Sequence, residues 1–210
     1  MNTIEKKIAE YLLQINAIKL QPANPFTWAS GWKSPIYCDN RKTLSYPAIR
    51  KVLALSFAQK IKELYPHTQV IAGVATGAIA IGVLTAEELN LPFIYVRSSS
   101  KAHGLTNTIE GYFEKGQNVV VIEDLISTGG SSLKAVEALR DAGCNVLGML
   151  AIFTYEFEIA MQNFKKLACE LTTLSNYSVL LTLAEEKKYI TPHQIQSLQE
   201  WRKNPDTWNQ

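Results

Sequence analysis

Cysteine is scarce in this chain. Its three residues, Cys38, Cys144 and Cys169, lie far apart and form no C-x-x-C pair, which argues against a disulfide framework and suits a reducing compartment. Long apolar runs are also missing: no stretch approaches the ~18 residues of a bilayer span. The segment Met1–Lys7 is polar and charged rather than an apolar leader core. A cytoplasmic protein with no membrane partner is expected. The formal net charge is only +2 at pH 7, so no broad basic footprint marks a nucleic-acid partner, although local clusters can still bind phosphates. The strings G-x-x-x-x-G-K-[ST], G-x-G-x-x-G and H-E-x-x-H do not occur, which removes the usual P-loop, dinucleotide-fold and zinc-helix readings. His67 and His193 each adjoin a proline outside any ligand pattern, and no protein-caged transition metal is expected.

What is present reads as a compact globular protein. The 210 residues, 47% apolar and 19% charged, suffice to hide roughly 70% of the unfolded surface. Ile4, Ile8, Tyr11, Leu12 and Ile15 fall at helical spacing after Thr3, giving an N-terminal helix read as a lid or cap. From Lys19 to Tyr46, short runs of Pro, Ser, Gly and aromatics read as small strands and turns, a hood. Residues 1–46 are therefore expected as helix and hood, and 47–210 as an α/β core with C-terminal helices. Within that core a helix is expected over Pro47–Tyr65, strands over Val70–Val74, Phe93–Val96, Asn118–Ile122 and Val146–Phe153, and helices over Gly77–Leu89 and Gly130–Ala142. A helix near Glu156–Phe164, a strand near Leu167–Leu171, and helices near Asn176–Ala184 and Thr191–Lys203 follow. Strands alternating with helices imply a parallel sheet flanked by helices.

The most informative segment runs from Val119 to Ser132. Val119–Ile122 is an unbroken apolar run, as for a strand buried on both faces, and Glu123 and Asp124 stand at its carboxyl end, where ligands bind in open parallel sheets. Ser127, Thr128, Gly129, Gly130 and Ser131 follow at the start of a helix, a place where backbone N–H groups and the helix dipole favour an anion. Two adjacent acids can grip vicinal ribose hydroxyls while the bend below holds a 5-phosphate. A Walker-B-like strand or a merely capped helix is the alternative.

Here the residues resemble a known family. Val119–Ser132 is similar to the signature by which type I phosphoribosyltransferases bind 5-phosphoribosyl 1-pyrophosphate (PRPP). Phe26–Tyr37, Ile71–Ile81 and Tyr95–Gly111 resemble the orotate phosphoribosyltransferase family in particular. The likeness runs from the hood to about Glu156, and the last fifty or so residues add little to it. It implies a type I phosphoribosyltransferase-like fold and a glycosyl transfer from PRPP to orotate giving orotidine 5'-monophosphate, with Mg²⁺ carried on the oxygens of PRPP. It also implies PRPP contacts from Arg97, Lys101, His103, Glu123, Asp124, Leu125, Ile126, Ser127, Thr128, Gly129, Gly130 and Ser131, and an orotate contact from Ser127. Another base, or a non-catalytic PRPP sensor, are the alternative functions.

Residues 97–110 form a connection longer than the median of roughly 4–6 residues and carry Arg97, Lys101 and His103, cations suited to a departing pyrophosphate. A solvated loop is the bland reading. The resemblance makes it a mobile catalytic lid that reaches the neighbouring subunit of a homodimer, with Lys101, His103 and Asp124 catalytic; Ser98 stands where many relatives have a second basic residue. The turn Gly73–Ala78 offers a second anion position or simply close helix–strand packing, and it lacks the lysine that some relatives carry near Thr76. Trp28, Trp32 and Tyr37, with Lys33 nearby, suit a planar base bearing a carboxylate, or core packing. Ala29 and Tyr155 replace basic residues of some relatives. If the lid works this way, Lys101→Ala lowers turnover far more than melting temperature, because an exposed lid adds little to the core; steady-state kinetics and thermal melting on one preparation check this, and matched losses would contradict it.

Overall fold

Ten strands and seven α-helices follow one another along the described residues, 3–28, 30–97 and 108–208, of this computed structural model. Helix α1 (Thr3–Gln14) leads into four short strands: β1 (Ile18–Leu20), β2 (Phe26–Thr27), β3 (Lys33–Ser34) and β4 (Ile36–Cys38). β1 pairs antiparallel with β4, and β2 with β3. A 3-10 helix (Asn40–Ser45) and α2 (Pro47–Leu64) connect them to the alternating part of the chain. Pro47 opens α2, where its missing N–H costs nothing.

The remaining elements are β5 (Val70–Val74), α3 (Ile79–Leu89), β6 (Phe93–Val96), β7 (Ile109–Glu110), β8 (Asn118–Ile126), α4 (Gly130–Asp141), β9 (Asn145–Thr154), α5 (Glu158–Lys166), β10 (Leu171–Asn176), α6 (Tyr177–Glu186) and α7 (Pro192–Lys203). Six strands form one sheet in the order β10-β9-β8-β5-β6-β7, parallel except for β7. This is the expected α/β architecture. β5 leads through α3 to β6 on one side, whereas β8 leads through α4 to β9 and through α5 to β10 on the other. With right-handed crossovers, opposite directions of travel put α3 and the α4–α5 pair on opposite faces. Accordingly α2 packs on α3, and α4 on α5. The direction reverses between the adjacent strands β5 and β8, and such a switch point opens a crevice at the carboxyl ends of its strands.

Val70, Ile71, Ala72, Val119, Val120, Val121 and Ile122 are all fully buried, as strands covered on both faces require. Several boundaries differ from the sequence reading. β8 continues to Ile126 rather than stopping at Ile122, because pairing with β9 (Glu123 to Ala151, Leu125 to Phe153, Ile126 to Thr154) carries it past its two acids. The strand expected at Leu167–Leu171 lies instead at Leu171–Asn176. α5 runs on to Lys166, and the Arg140 guanidinium donates to the carbonyls of Leu167 and Ala168 at 2.6 and 3.0 Å, closing that helix end. α1 is not a lid: Ile8 and Leu12 are fully buried as it packs on α6 and β10, and Ser175 Oγ donates to the Glu5 carbonyl at 2.9 Å. The polar stretch before Gly111 ends in β7, which pairs Val96 with Ile109 and Tyr95 with Glu110.

Candidate functional site

The crevice at the switch point is built around the end of β8. Glu123 and Asp124 emerge there side by side, yet their surroundings differ. Glu123 is 5% exposed; one carboxylate oxygen accepts from the Asp124 N–H and the other from Ser132 Oγ, both at 2.8 Å. Burial pushes its carboxyl well above the usual glutamate value, and the neighbouring Asp124 carboxylate adds to this. Asp124 lies against the turn after β5 instead. A Cβ placed on Gly77 would sit 2.4 to 2.6 Å from the carboxylate atoms of Asp124, so the absence of a side chain at 77 is what admits that acid. The expected equivalence of the two acids therefore divides: Asp124 reaches across the crevice, and Glu123 braces the start of α4.

Two glycines of the β5 turn have separate reasons. A Cβ on Gly73 would meet the Phe93 ring at 2.9 Å and the Ala78 carbonyl at 3.0 Å, which is a matter of close packing, whereas Gly77 serves the acid. The Ala75 N–H donates to the Val96 carbonyl at 2.8 Å, tying the turn to β6. The Ala75–Thr76 peptide is cis.

After β8 the chain bends through Ser127 and Thr128 to Gly129, whose φ of +79° is left-handed. A Cβ there would also strike Phe164 at 2.8 Å. No side chain caps α4 at this end, so the first N–H groups of the helix, at Gly130 and Ser131, lack an intrahelical partner and are available to an anion. Asn163 of α5 holds the bend from behind, donating to the Thr128 carbonyl at 3.0 Å. A hollow of about 440 Å³ adjoins this point, between Ala75, Arg97, Thr108, Gly130, Ser131 and Lys134. Arg97 and Lys134 give it positive charge. The Arg97 guanidinium lies 3.3 Å from Glu110 Oε1, and the Arg97 backbone N–H donates to the Thr108 carbonyl at 2.8 Å. Lys101 and His103 lie outside the described residues, as do Ser98 and Ala29.

A second hollow, about 300 Å³, opens between the hood and the bend. Thr27, Trp28, Tyr37, Cys38, Leu125, Ser127 and Tyr155 line it. Its walls are flat and uncharged. Trp28 and Tyr155 lie 5.3 Å apart between ring centroids, and Trp201 of α7 stands edge-on to both at 5.7 and 5.5 Å. Trp201 is fully buried, so the C-terminal helices back this cavity although they added little to the sequence reading. Its helical spacing with Ile195 and Leu198 was the visible hint. Lys33 does not line the cavity; its ammonium donates to Thr27 Oγ1 at 3.0 Å, one residue back from the surface. Trp32 is not among the lining residues. Asn40, which the sequence reading passed over, is 2% exposed and donates to the Asp124 carbonyl at 2.6 Å. A hollow of about 460 Å³ between α1, α2 and β10 touches neither acid nor bend.

Residues 43–193 match the model of the phosphoribosyl transferase domain. Over 99% of its length the chain is 59% identical to an orotate phosphoribosyltransferase of Phocaeicola vulgatus, covering 98% of that protein. It is 57% identical over 99% of its length to one of Porphyromonas gingivalis, covering 99% of that protein. Among solved structures, an orotate phosphoribosyltransferase from Aeropyrum pernix superposes with a TM-score of 0.75 at 28% identity, over 88% of this chain and 99% of that one. UMP synthase of Leishmania donovani superposes with a TM-score of 0.79 at 29% identity over 94% of this chain, which spans 42% of that longer protein.

Two outcomes follow from the acid pair. Gly77→Ala forces the Asp124 carboxylate aside; being the end of a side chain it can yield, so melting temperature stays near wild type while turnover falls about 10²-fold. Unchanged turnover would mean that this placement of Asp124 is not the working one. Because the folded-state pKa of Glu123 lies above the ordinary ~4.3, folding takes up a proton between the two values and stability falls as pH rises through that interval. Glu123→Gln cannot ionise, so its melting temperature should gain on wild type as pH is raised from acid towards neutral. A difference that is flat with pH contradicts an ionisable buried Glu123.

Proposed function

The chain belongs to the phosphoribosyl transferase domain family, and on that premise we propose that it transfers the 5-phosphoribosyl group from PRPP to orotate, giving orotidine 5'-monophosphate and pyrophosphate in pyrimidine nucleotide synthesis. The observation that carries this reading is the meeting of three parts at one switch point. These are Asp124 against Gly77, the uncapped start of α4 after Ser127–Ser131, and a flat cavity reaching Ser127 from the hood side.

Each part has a task. Asp124 accepts hydrogen bonds from ribose hydroxyls and offsets positive charge near the anomeric carbon as its bond to pyrophosphate stretches. Glu123, anchored on Ser132, holds the Asp124 N–H and so sets where that acid points. The amides and hydroxyls from Ser127 to Ser131, with Leu125 and Ile126 leading into them, hold the 5-phosphate. The electron pair of the breaking C–O bond leaves with pyrophosphate, whose growing charge is met by Arg97 and, on the lid, by Lys101 and His103. A ring nitrogen of orotate, stacked between hood and bend near Ser127, then forms the new bond to the anomeric carbon and gives up its proton to the departing pyrophosphate. Closure of the lid keeps water from taking that place.

Among the described residues no group of three or more His, Cys, Asp or Glu side chains could cage a metal. Mg²⁺ is taken as carried on PRPP oxygens and water, with Asp124 the protein carboxylate that would help to hold it. When bound, Mg²⁺ would neutralise charge on the pyrophosphate. We take the working form as a homodimer whose lids cross between subunits. The orotate carboxylate finds no cation on the cavity wall among the described residues, and Lys33, one hydrogen bond behind Thr27, is the side chain we assign to it.

Purified protein with Mg²⁺, PRPP and orotate should consume orotate absorbance and release pyrophosphate, and orotate should outcompete uracil and purines. Turnover of another base alone would move the assignment to that base, and donor binding without product from any base would make the protein a PRPP sensor. In the same assay Lys33→Met should raise the KM for orotate roughly 10- to 100-fold, the equivalent of a lost charge-assisted hydrogen bond. The KM for PRPP should stay put; equal rises in both would remove Lys33 from the carboxylate.

A further inference from the structure

Base and ribose are held by segments far apart in the chain. The base cavity takes one wall from Trp28, Tyr37 and Cys38 of the hood and the other from Leu125, Ser127 and Tyr155, and the ribose acid stands on β8. The bond to be made joins the two halves, so their relative placement matters as much as either half alone. We propose that Asn40 is the positioning residue that fixes the hood's base cavity relative to Asp124. This rests on the functional reading given above.

The geometry is specific. Asn40 Nδ2 donates to the Asp124 carbonyl at 2.6 Å across 84 residues of chain, and Asn40 Oδ1 accepts from the Cys38 thiol at 3.3 Å. One carboxamide thus touches a wall of the base cavity with its oxygen and the acid-bearing residue with its nitrogen. It is 2% exposed, so water does not substitute for either partner. The backbone that carries it is itself held: the Asn40 main-chain carbonyl accepts from Thr43 Oγ1 at 2.6 Å, and the Asp39 carboxylate accepts from the Arg41 N–H at 3.2 Å, which together shape the 3-10 turn. Pairing of β5 with β8 ends at Gly73 and Ile122. Two residues further on, the Asp124 carbonyl takes its hydrogen bond from Asn40. The hood amide therefore restrains β8 on the edge that β5 no longer covers, while β9 holds the other edge as far as Ile126.

Burial pushes the Cys38 thiol up, with the Asp124 and Asp39 carboxylates adding to the effect. The thiol therefore stays protonated at neutral pH and remains a donor to Asn40. Removing the amide leaves two partly buried groups short of a partner, which lowers stability somewhat. The larger consequence falls on the alignment of base with ribose.

The test compares Asn40→Ala and Asn40→Asp with Ile8→Val. Asn40→Asp keeps the acceptor for Cys38 but cannot donate to the Asp124 carbonyl. Ile8→Val trims a fully buried α1 side chain, remote from the site, and supplies a comparison with a modest stability loss. Melting temperature, kcat, KM for both substrates and the dissociation constant of PRPP alone are measured for each. Both Asn40 variants should lose about 10²-fold in kcat while binding PRPP alone nearly as wild type does, and Ile8→Val should lose melting temperature with kcat retained. The proposal is overturned if the Asn40 variants turn over near the wild-type rate, if PRPP binding falls in step with kcat, or if Ile8→Val shows the same kinetic loss. A wild-type protein active only with another base would displace the orotate assignment, and the Asn40 comparison is then read with that base.

Discussion

The placement of one carboxylate governs this structure. Asp124 follows the buried run Val119–Glu123 of β8 and lies over a glycine on the neighbouring strand's turn, where any side chain at 77 would occupy its place. A parallel sheet that reverses direction between β5 and β8 is needed to put those two strand ends side by side. The apolar runs of β5 and β8, covered by helices on both faces, make that sheet rigid enough to hold an acid to within a fraction of an ångström. Glu123 adds restraint from the same strand, spending both of its oxygens on Ser132 and the Asp124 N–H. With both oxygens engaged inside the fold, this buried glutamate serves as a brace for the neighbouring acid.

Around that fixed acid the remaining parts are arranged by distance from it. The bend after β8 is kept open by Gly129 and pulled back by Asn163, leaving the start of α4 without a side-chain cap. The hood closes the other side. It has little sheet of its own, two short antiparallel pairs, and it depends on tertiary contacts: Trp28 packs on Tyr155 and Trp201, and Asn40 bonds to β8. Such two- and three-residue strands would not persist alone. The aromatic cluster supplies the buried area, and its flat faces double as the cavity wall.

Much of this was legible in the residues. Four consecutive apolar residues ending in Glu123 and Asp124, followed by Ser127–Ser131, carry a local pattern whose meaning depends on few distant contacts, and both the fold class and the family could be read from it. The boundaries of β8, α5 and β10 could not, because strand pairing and the Arg140 cap are tertiary facts that override local propensity. Asn40 sits in a polar turn whose text resembles any loop; only the structure shows its amide 84 residues away on β8. Trp201 was passed over: its helical spacing with Ile195 and Leu198 marks a core-facing residue but does not tell which cavity it backs. The unequal surroundings of Glu123 and Asp124 escaped the sequence for the same reason: adjacent strand residues point to opposite faces, and which face is sealed is decided by α4.

A crystal structure with ribose 5-phosphate or PRPP bound tests the central claim most directly. The account predicts ribose hydroxyls within hydrogen-bond distance of the Asp124 carboxylate, the 5-phosphate on the amides between Ser127 and Ser131, and Glu123 still bonded to Ser132. A phosphate resting elsewhere, with Asp124 turned away from the sugar, would contradict it.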